Sequence, residues 1–194
     1  MTDDHDIAIE RISVEDLRAD ASGVLIEQIA SLAYRSFRES PWNDDLARPR
    51  LHFGLGVDLM RRNALAFIAK AKDSGTIVGY ALGYEVLRES GDPRDLTLGA
   101  ISGTTDLDYL FEEDRRIFYA DTVCVEPGAR RRQIAYGLAA MLIPVVRDQG
   151  FTFHVARTAS NATAIRALFA KLGFEELPVH DAVFADRTYW LLRL

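Results

Sequence analysis

The hydrophobic pattern changes period several times along the chain, and each change marks an element. "DIAIERI", residues 6–12, alternates as a strand does. Ser13, with Glu15 and Asp16 close behind, has the form of a helix start. Leu25, Ile29, Leu32, Ala33 and Phe37 then recur at helical spacing up to "ESPWN", where Pro41 breaks the run, giving a long amphipathic helix. A second helix is expected over Leu51 to Arg62, with Leu51, Leu55 and Leu59 on one face and Gly54 and Gly56 weakening it. "LAFIAKA" and "TIVGYALGYEVL" follow as strands. "KDSG" lies between them and supplies the residues of a tight hairpin turn.

The period is then lost between Arg88 and Arg116. This insertion holds eight acidic side chains and four arginines, with "DLDYLFEED" as a short helical turn inside it. Connections of this length in compact domains are usually functional or mobile. Beyond it "RIFYADTVCV" is a strand, "RQIAYGLAAMLIPVVRDQG" a helix stopped by Gly150, and "FTFHVAR" a strand. "SNATAIRALFAKLG" is a helix capped by Gly173, and "RTYWLLRL" is a closing strand. Pro144 should bend its helix and leave the carbonyl of Ala140 unpaired. The order predicts a mixed α/β (α+β) fold whose β-α-β unit around residues 116–157 is right-handed.

Composition narrows the function. The 194 residues, 48% of them hydrophobic, suit one domain spanning 1–194. No apolar run approaches a bilayer-crossing length, and the N-terminus is acidic where a secretory signal is basic, so a cytoplasmic protein with no membrane partner is expected. Cys124 is the sole cysteine, and His5, His52, His154 and His180 show no ligand-like spacing, so no metal site is expected. A net charge of -6 argues against a general nucleic-acid binder. The dense basic cluster is Arg130-Arg131-Arg132, where a strand ending at Pro127-Gly128 turns into a helix. Amides from Arg131 to Tyr136, including those of Gln133, Ile134 and Ala135, would lie at the positive end of that helix and suit phosphate oxygens. A solvated basic helix start is the plainer alternative.

Two motifs decide between these. Val125-x-Pro127-x-x-Arg130-x-x-x-Ile134-Ala135-x-x-Leu138 resembles the acetyl-CoA-binding motif of GNAT-superfamily N-acetyltransferases, V-x-P-x-x-R-G-x-G-I-G-x-x-L. Downstream, Asn161, Ala164, Leu168, Lys171, Leu172, Gly173 and Phe174 resemble that superfamily's second motif, N-x-x-A-x-x-L-Y-x-K-L-G-F, with one extra residue between Ala164 and Leu168. The resemblance is sharpest from Phe118 to Glu175. It implies a GNAT-like central twisted sheet of about six to seven strands, splayed between the fourth and fifth to admit the pantetheine arm. It also implies acceptor-side helices over about 13–63 and an acetyl-CoA-binding core over about 117–175. Val123 and Val125 would pair with the pantetheine amides through their backbones, and Asn161 would bind the cofactor near the mouth of the splay. Cys124, beside them, is read as a buried filler lining that region.

The departures from the pattern also carry chemistry. Arg131 and Gln133 stand where the family prefers glycine. Phe169 stands at the cofactor-side position where many members carry a tyrosine that protonates the departing thiolate, so another group or water must do so. The family's base is often a carboxylate on or near the fourth strand. Asp121 fits that role, with Tyr119 as a polar neighbour, because period-two alternation puts Tyr119, Asp121, Val123 and Val125 on one face. A structural carboxylate paired with an arginine is the competing view of Asp121. His154 is either a proton relay or, more commonly for a lone strand histidine, a packed core residue. Tyr80, Tyr84 and Glu85 face either the acceptor or the core, and Trp42 and Asn43 are candidates to line the acceptor pocket.

The expectation is an acetyl-CoA-dependent N-acetyltransferase acting on a primary amine of a small molecule or peptide by direct attack in a ternary complex. The acidic insertion hints at a cationic acceptor. A catalytically silent acyl-CoA-binding domain is the alternative. A nucleotide-binding module is disfavoured because no G-x-x-x-x-G-K-[ST] or G-x-G-x-x-G follows a strand. A homodimer through an edge strand is compatible with the sequence and not required by it.

Overall fold

A computed structural model of the chain describes residues 6–20, 22–40, 42, 48–88, 98–99, 106–112, 115–181 and 184–194. It contains a seven-stranded mixed sheet in the order β1-β2-β3-β4-β5-β7-β6. The strands are β1 (Ile7–Ile12), β2 (Leu65–Ala71), β3 (Ile77–Val86), β4 (Ile117–Val125), β5 (Phe153–Ala159), β6 (Glu175–His180) and β7 (Arg187–Arg193). The helices are α1 (Val14–Ala19), α2 (Val24–Phe37), α3 (Arg48–Leu59), α4 (Ile134–Asp148) and α5 (Thr163–Lys171). Two compact units arise from the chain. One comprises Met1–Met60, Ala64–Gly83 and Thr122–Leu142, the other Arg61–Asn63, Tyr84–Asp121 and Ile143–Leu194.

In the first unit β1 pairs antiparallel with β2, and β2 with β3. The long amphipathic helix expected after β1 is two helices. Ser13 starts α1 with a capping box: its hydroxyl accepts from the Asp16 amide at 3.0 Å, and the Asp16 carboxylate accepts from the Ser13 amide at 2.7 Å. Asp20 then ends one helix and begins the next, since its carboxylate accepts from the amides of Val24 and Leu25 at 3.2 and 2.6 Å. Gly23 supplies the left-handed backbone, φ +68°, that the break requires. Ile29, Leu32 and Ala33 of α2 and Leu55 and Leu59 of α3 pack with Ile12, Ile68, Tyr80, Leu82 and Cys124. Leu32 is fully buried, which contributes on the order of 2 kcal/mol relative to exposure. One glycine sets how α4 seats: a Cβ on Gly79 would stand 3.0 Å from Ile134, 3.2 Å from the Cys124 carbonyl oxygen and 3.2 Å from Leu138. The first turn of α4 can therefore lie close against β3.

In the second unit β4 runs parallel to β5, from Ile117 opposite Phe153 to Ala120 opposite Ala156, while β4 itself continues to Val125. β5 pairs antiparallel with β7 along its whole length. β6 was not visible as a strand in the sequence. "EELPVH" is polar and holds Pro178, which cannot donate to a ladder, and the structure accommodates it at the sheet edge. There β6 pairs with β7 through an irregularity between Glu176 and His180. Helix α4 runs on through Pro144, and Gly150, φ +75°, follows its end. Of the insertion, the described part shows a 3-10 turn over Asp108–Phe111, with Leu110 fully buried. No helix among the described residues is long and apolar enough to cross a membrane.

Candidate active site

The basic junction lies wholly in the first unit. Glu126 donates its amide to the Val78 carbonyl of β3 at 2.8 Å, and the Cys124 carbonyl sits against Gly79. Backbone groups alternate along a strand, so those of Val123 and Val125 turn to the opposite edge of β4. The Val125 carbonyl accepts from the Ser36 hydroxyl at 3.3 Å and from Arg130 Nε at 3.4 Å. After Val125 the chain makes a 3-10 turn over Pro127–Ala129 and then four exposed residues, Arg130, Arg131, Arg132 and Gln133, before α4 begins. The Gln133 carbonyl accepts from the Gly137 amide at 2.9 Å, so the amides of Ile134, Ala135 and Tyr136 precede the first intrahelical bond. Arg131 has φ +67° and Gln133 φ +58°. These are two of the three positions at which the motif has glycine, and at both the backbone takes the left-handed conformation that glycine adopts at no cost.

Helix α2 and the residues just beyond it brace this turn through contacts across 91 residues of sequence that no local pattern announces. Arg35 holds the Glu126 carboxylate with two nitrogens, Nη2 at 2.6 Å and Nε at 3.1 Å, and Arg130 Nη1 pairs with Glu39 at 2.6 Å. Arg132 lies 4.0 Å from Asp6. Cys124 is buried, and loss of hydration pushes its thiol up to about 11 despite a hydrogen bond with Ser36, so it is no nucleophile near neutral pH.

A polar cluster occupies the second unit. Asp121 is half-buried on β4, and its Oδ1 accepts from the Tyr84 hydroxyl of β3 at 3.2 Å. The Tyr119 ring lies 5.9 Å from the Tyr84 ring, and the Arg61 guanidinium lies over the Tyr84 ring, 4.8 Å from its centre. Burial first, and the Asp121 charge after it, push the Tyr119 hydroxyl far above its ordinary range, against the opposing pull of Arg157, so Tyr119 stays protonated. Arg157 of β5 donates to the Asp181 carboxylate at 2.6 Å, and Tyr189 of β7 donates to the same oxygen at 3.2 Å. Asp181 is 2% exposed, so this pair neutralises a charge that burial alone would disfavour.

Other singled-out residues fall to structural duties or to the surface. Glu85, 6% exposed, is held by Arg116 Nε at 2.9 Å and Arg62 Nε at 3.1 Å. Burial raises its carboxyl and those partners more than reverse this, so it stays ionised below the ordinary range. His154 is 2% exposed and wedged edge-on between Phe118 and Phe174, at 5.2 and 5.1 Å, and burial pushes it down to about 3. A neutral imidazole among aromatic rings is a core residue. Tyr80 packs in the core of the first unit. Asn161 is exposed on the turn into α5, and Phe169 packs with Ala156, Phe174 and Trp190. Trp42 meets Phe37 edge-on at 6.0 Å, whereas Asn43 and most of the acidic insertion lie outside the described residues. Among the described residues no group of three His, Cys, Asp or Glu side chains could hold a metal ion.

Known proteins place this geometry. A model of the acetyltransferase (GNAT) family matches residues 26–174. No curated protein matches the sequence. Among solved structures, the fold is similar to that of the ribosomal-protein-S18-alanine N-acetyltransferase from Escherichia coli, at 13% identity and a TM-score of 0.60, covering 96% of this chain and 93% of that one. It is similar also to a chain of the NatC complex bound to Gag peptide and CoA, at 15% identity and a TM-score of 0.63, covering 97% and 99%. The PaiA N-acetyltransferase from Thermoplasma acidophilum, in complex with coenzyme A, gives 11% identity and a TM-score of 0.60, covering 97% and 99%. At such identities the structural likeness carries the fold, while the family match covers most of the chain and includes both motifs. With its splayed parallel pair β4 and β5 and a family match that spans residues 26–174, the chain belongs to the GNAT acetyltransferase family.

Proposed function

We propose that this protein transfers an acetyl group from acetyl-CoA to a primary amine of a small molecule or peptide by direct attack in a ternary complex. The observation that carries the reading is the turn before α4. At two of the motif's glycine positions it has an arginine and a glutamine, yet both hold positive φ, so the backbone keeps the shape that presents amides to a diphosphate. A left-handed non-glycine residue costs about 1–2 kcal/mol, and strain of this kind clusters at functional sites.

Each group then has a task. The amides at the start of α4 and the exposed Arg131 and Arg132 hold the diphosphate of the donor. Val123 offers its backbone to the pantetheine amides, ahead of Val125, whose carbonyl already accepts two bonds. When bound, acetyl-CoA supplies the activated thioester carbonyl. Asp121 takes the proton of the attacking amine as the new C–N bond forms and the C–S bond breaks. Phe169 has no proton to give the departing thiolate, and water serves instead.

Thermal-shift titrations with acetyl-CoA, CoA and ATP in parallel test the cofactor, because a ligand that binds only the folded state raises the melting temperature. A shift with both CoA species and none with ATP, followed by thiol release on an amine panel, is the expected result. No shift with millimolar acetyl-CoA would sink the reading. Phe169 favours one second reading, a silent acyl-CoA-binding domain. It predicts the same shift with no thiol release on any amine.

A further inference from the structure

We propose that Tyr84 is a positioning residue for Asp121, orienting the carboxylate and keeping it ionised, with Arg61 stacked over its ring. This rests on the reading of Asp121 as the base. Tyr84 is 2% exposed, so its hydroxyl is buried and is satisfied by Asp121 Oδ1 at 3.2 Å. A carboxylate on a strand turns about a broad torsion, and a buried donor on one oxygen restrains that rotation. The same bond is made to the charged form of Asp121 and so favours it.

The surrounding charges act in the same direction. Arg61 places its guanidinium over the Tyr84 ring, 4.8 Å from its centre, and a cation there polarises the hydroxyl toward donation. On β4, Tyr119 packs against Tyr84 and stays a neutral phenol. On β5, Arg157 reaches Tyr119 but is itself bound by Asp181, and Tyr189 of β7 binds Asp181 rather than Asp121. Glu85, the next residue on β3, points to the opposite face of the strand and is ion-paired with Arg62 and Arg116. Tyr84, backed by Arg61, thus acts on the base directly.

The test compares the pH dependence of kcat/KM in wild type, Y84F, R61M and D121N. Y84F keeps the ring and removes the donor. Its kcat should fall about tenfold, as expected for loss of one hydrogen bond to a charged group, and its acidic limb should move to higher pH while KM for acetyl-CoA is unchanged. R61M should move the limb the same way by less, and it provides the same test should Y84F fail to fold. A merely structural tyrosine would alter melting temperature and leave the limb in place. Superimposable profiles for wild type, Y84F and R61M, with D121N inactive, would overturn the positioning role and leave the base assignment standing. A fully active D121N would overturn both.

Discussion

The turn before α4 and the cluster around Asp121 are built on opposite principles. The turn is contiguous, exposed and presents backbone: four exposed residues, two of them with positive φ, lead into the first amides of a helix. The cluster is discontinuous and built from side chains, with Tyr84, Asp121, Arg157 and Asp181 drawn from four segments and largely buried. A backbone site tolerates side-chain replacement as long as each residue keeps its N–H, which is why Arg131 and Gln133 can stand in glycine positions. A side-chain site fails when one partner changes. The two regions should therefore respond to mutation with different severity and through different kinetic constants.

The largest effect is expected at Asp121. D121N keeps the shape and removes the basic oxygen, and loss of a general base typically costs between about 10² and 10⁴ in rate. Steady-state kinetics should show that loss in kcat, with the acetyl-CoA-induced melting shift retained. If D121N lost the melting shift instead, the separation between the two regions would be wrong.

His154 gives the next largest effect and probes the same unit through stability. Its folded value of about 3 lies below the ordinary 6.5, so the unfolded chain takes up a proton that the folded protein refuses. The stabilisation is complete above pH 6.5 and is lost as pH falls toward 3, at roughly 1.4 kcal/mol per pH unit within that window. H154L should remove this slope. Denaturant midpoints measured against pH for both proteins should converge near neutrality relative to their spread at pH 4, and parallel curves would exclude a buried neutral imidazole.

How far the sequence disclosed these two regions follows from how each is built. The turn could be read because its determinants are consecutive: a strand ending at Pro127-Gly128, three arginines and an apolar helix. Asp121 could be nominated from its strand, but its partner Tyr84 stood among several tyrosines with no local mark to set it apart. The Arg157–Asp181 pair and the clasp of Arg35 and Glu39 on the turn were invisible, since contacts across 24 and 91 residues leave no periodic trace. In the fold, the strongly periodic elements were legible. The break at Asp20 was missed because a side-chain cap imitates continued helix, and β6 was missed because an edge strand needs no apolar alternation.

A smaller effect belongs to the turn's charges. Replacing Arg131 and Arg132 together by alanine removes two exposed cations without touching any amide. Acetyl-CoA affinity should weaken by roughly tenfold, the scale of one or two partly screened charge-assisted contacts, while kcat at saturating donor is unchanged. The deficit should shrink as salt is raised. An equal loss in kcat would mean that these arginines act on the reacting centre rather than on the donor's phosphates.

The smallest effect is the sharpest test of the backbone argument. Q133G places glycine where φ is +58°, relieving about 1–2 kcal/mol of left-handed strain while adding about 0.5–1 kcal/mol of unfolded-state entropy. The balance predicts a gain on the order of 0.5 kcal/mol in stability, seen as a small rise in denaturant midpoint. It also predicts an acetyl-CoA affinity equal to or slightly tighter than wild type, because the amide of residue 133 is kept and the Cβ beside the diphosphate is removed. Q133A separates the two contributions, since alanine discards the glutamine side chain but retains the strain. If Q133A tightened binding as much as Q133G, the side chain rather than the left-handed backbone would be what sets this turn apart. If only Q133G did so, the turn would be governed by its backbone, as the geometry at Arg131 and Gln133 requires.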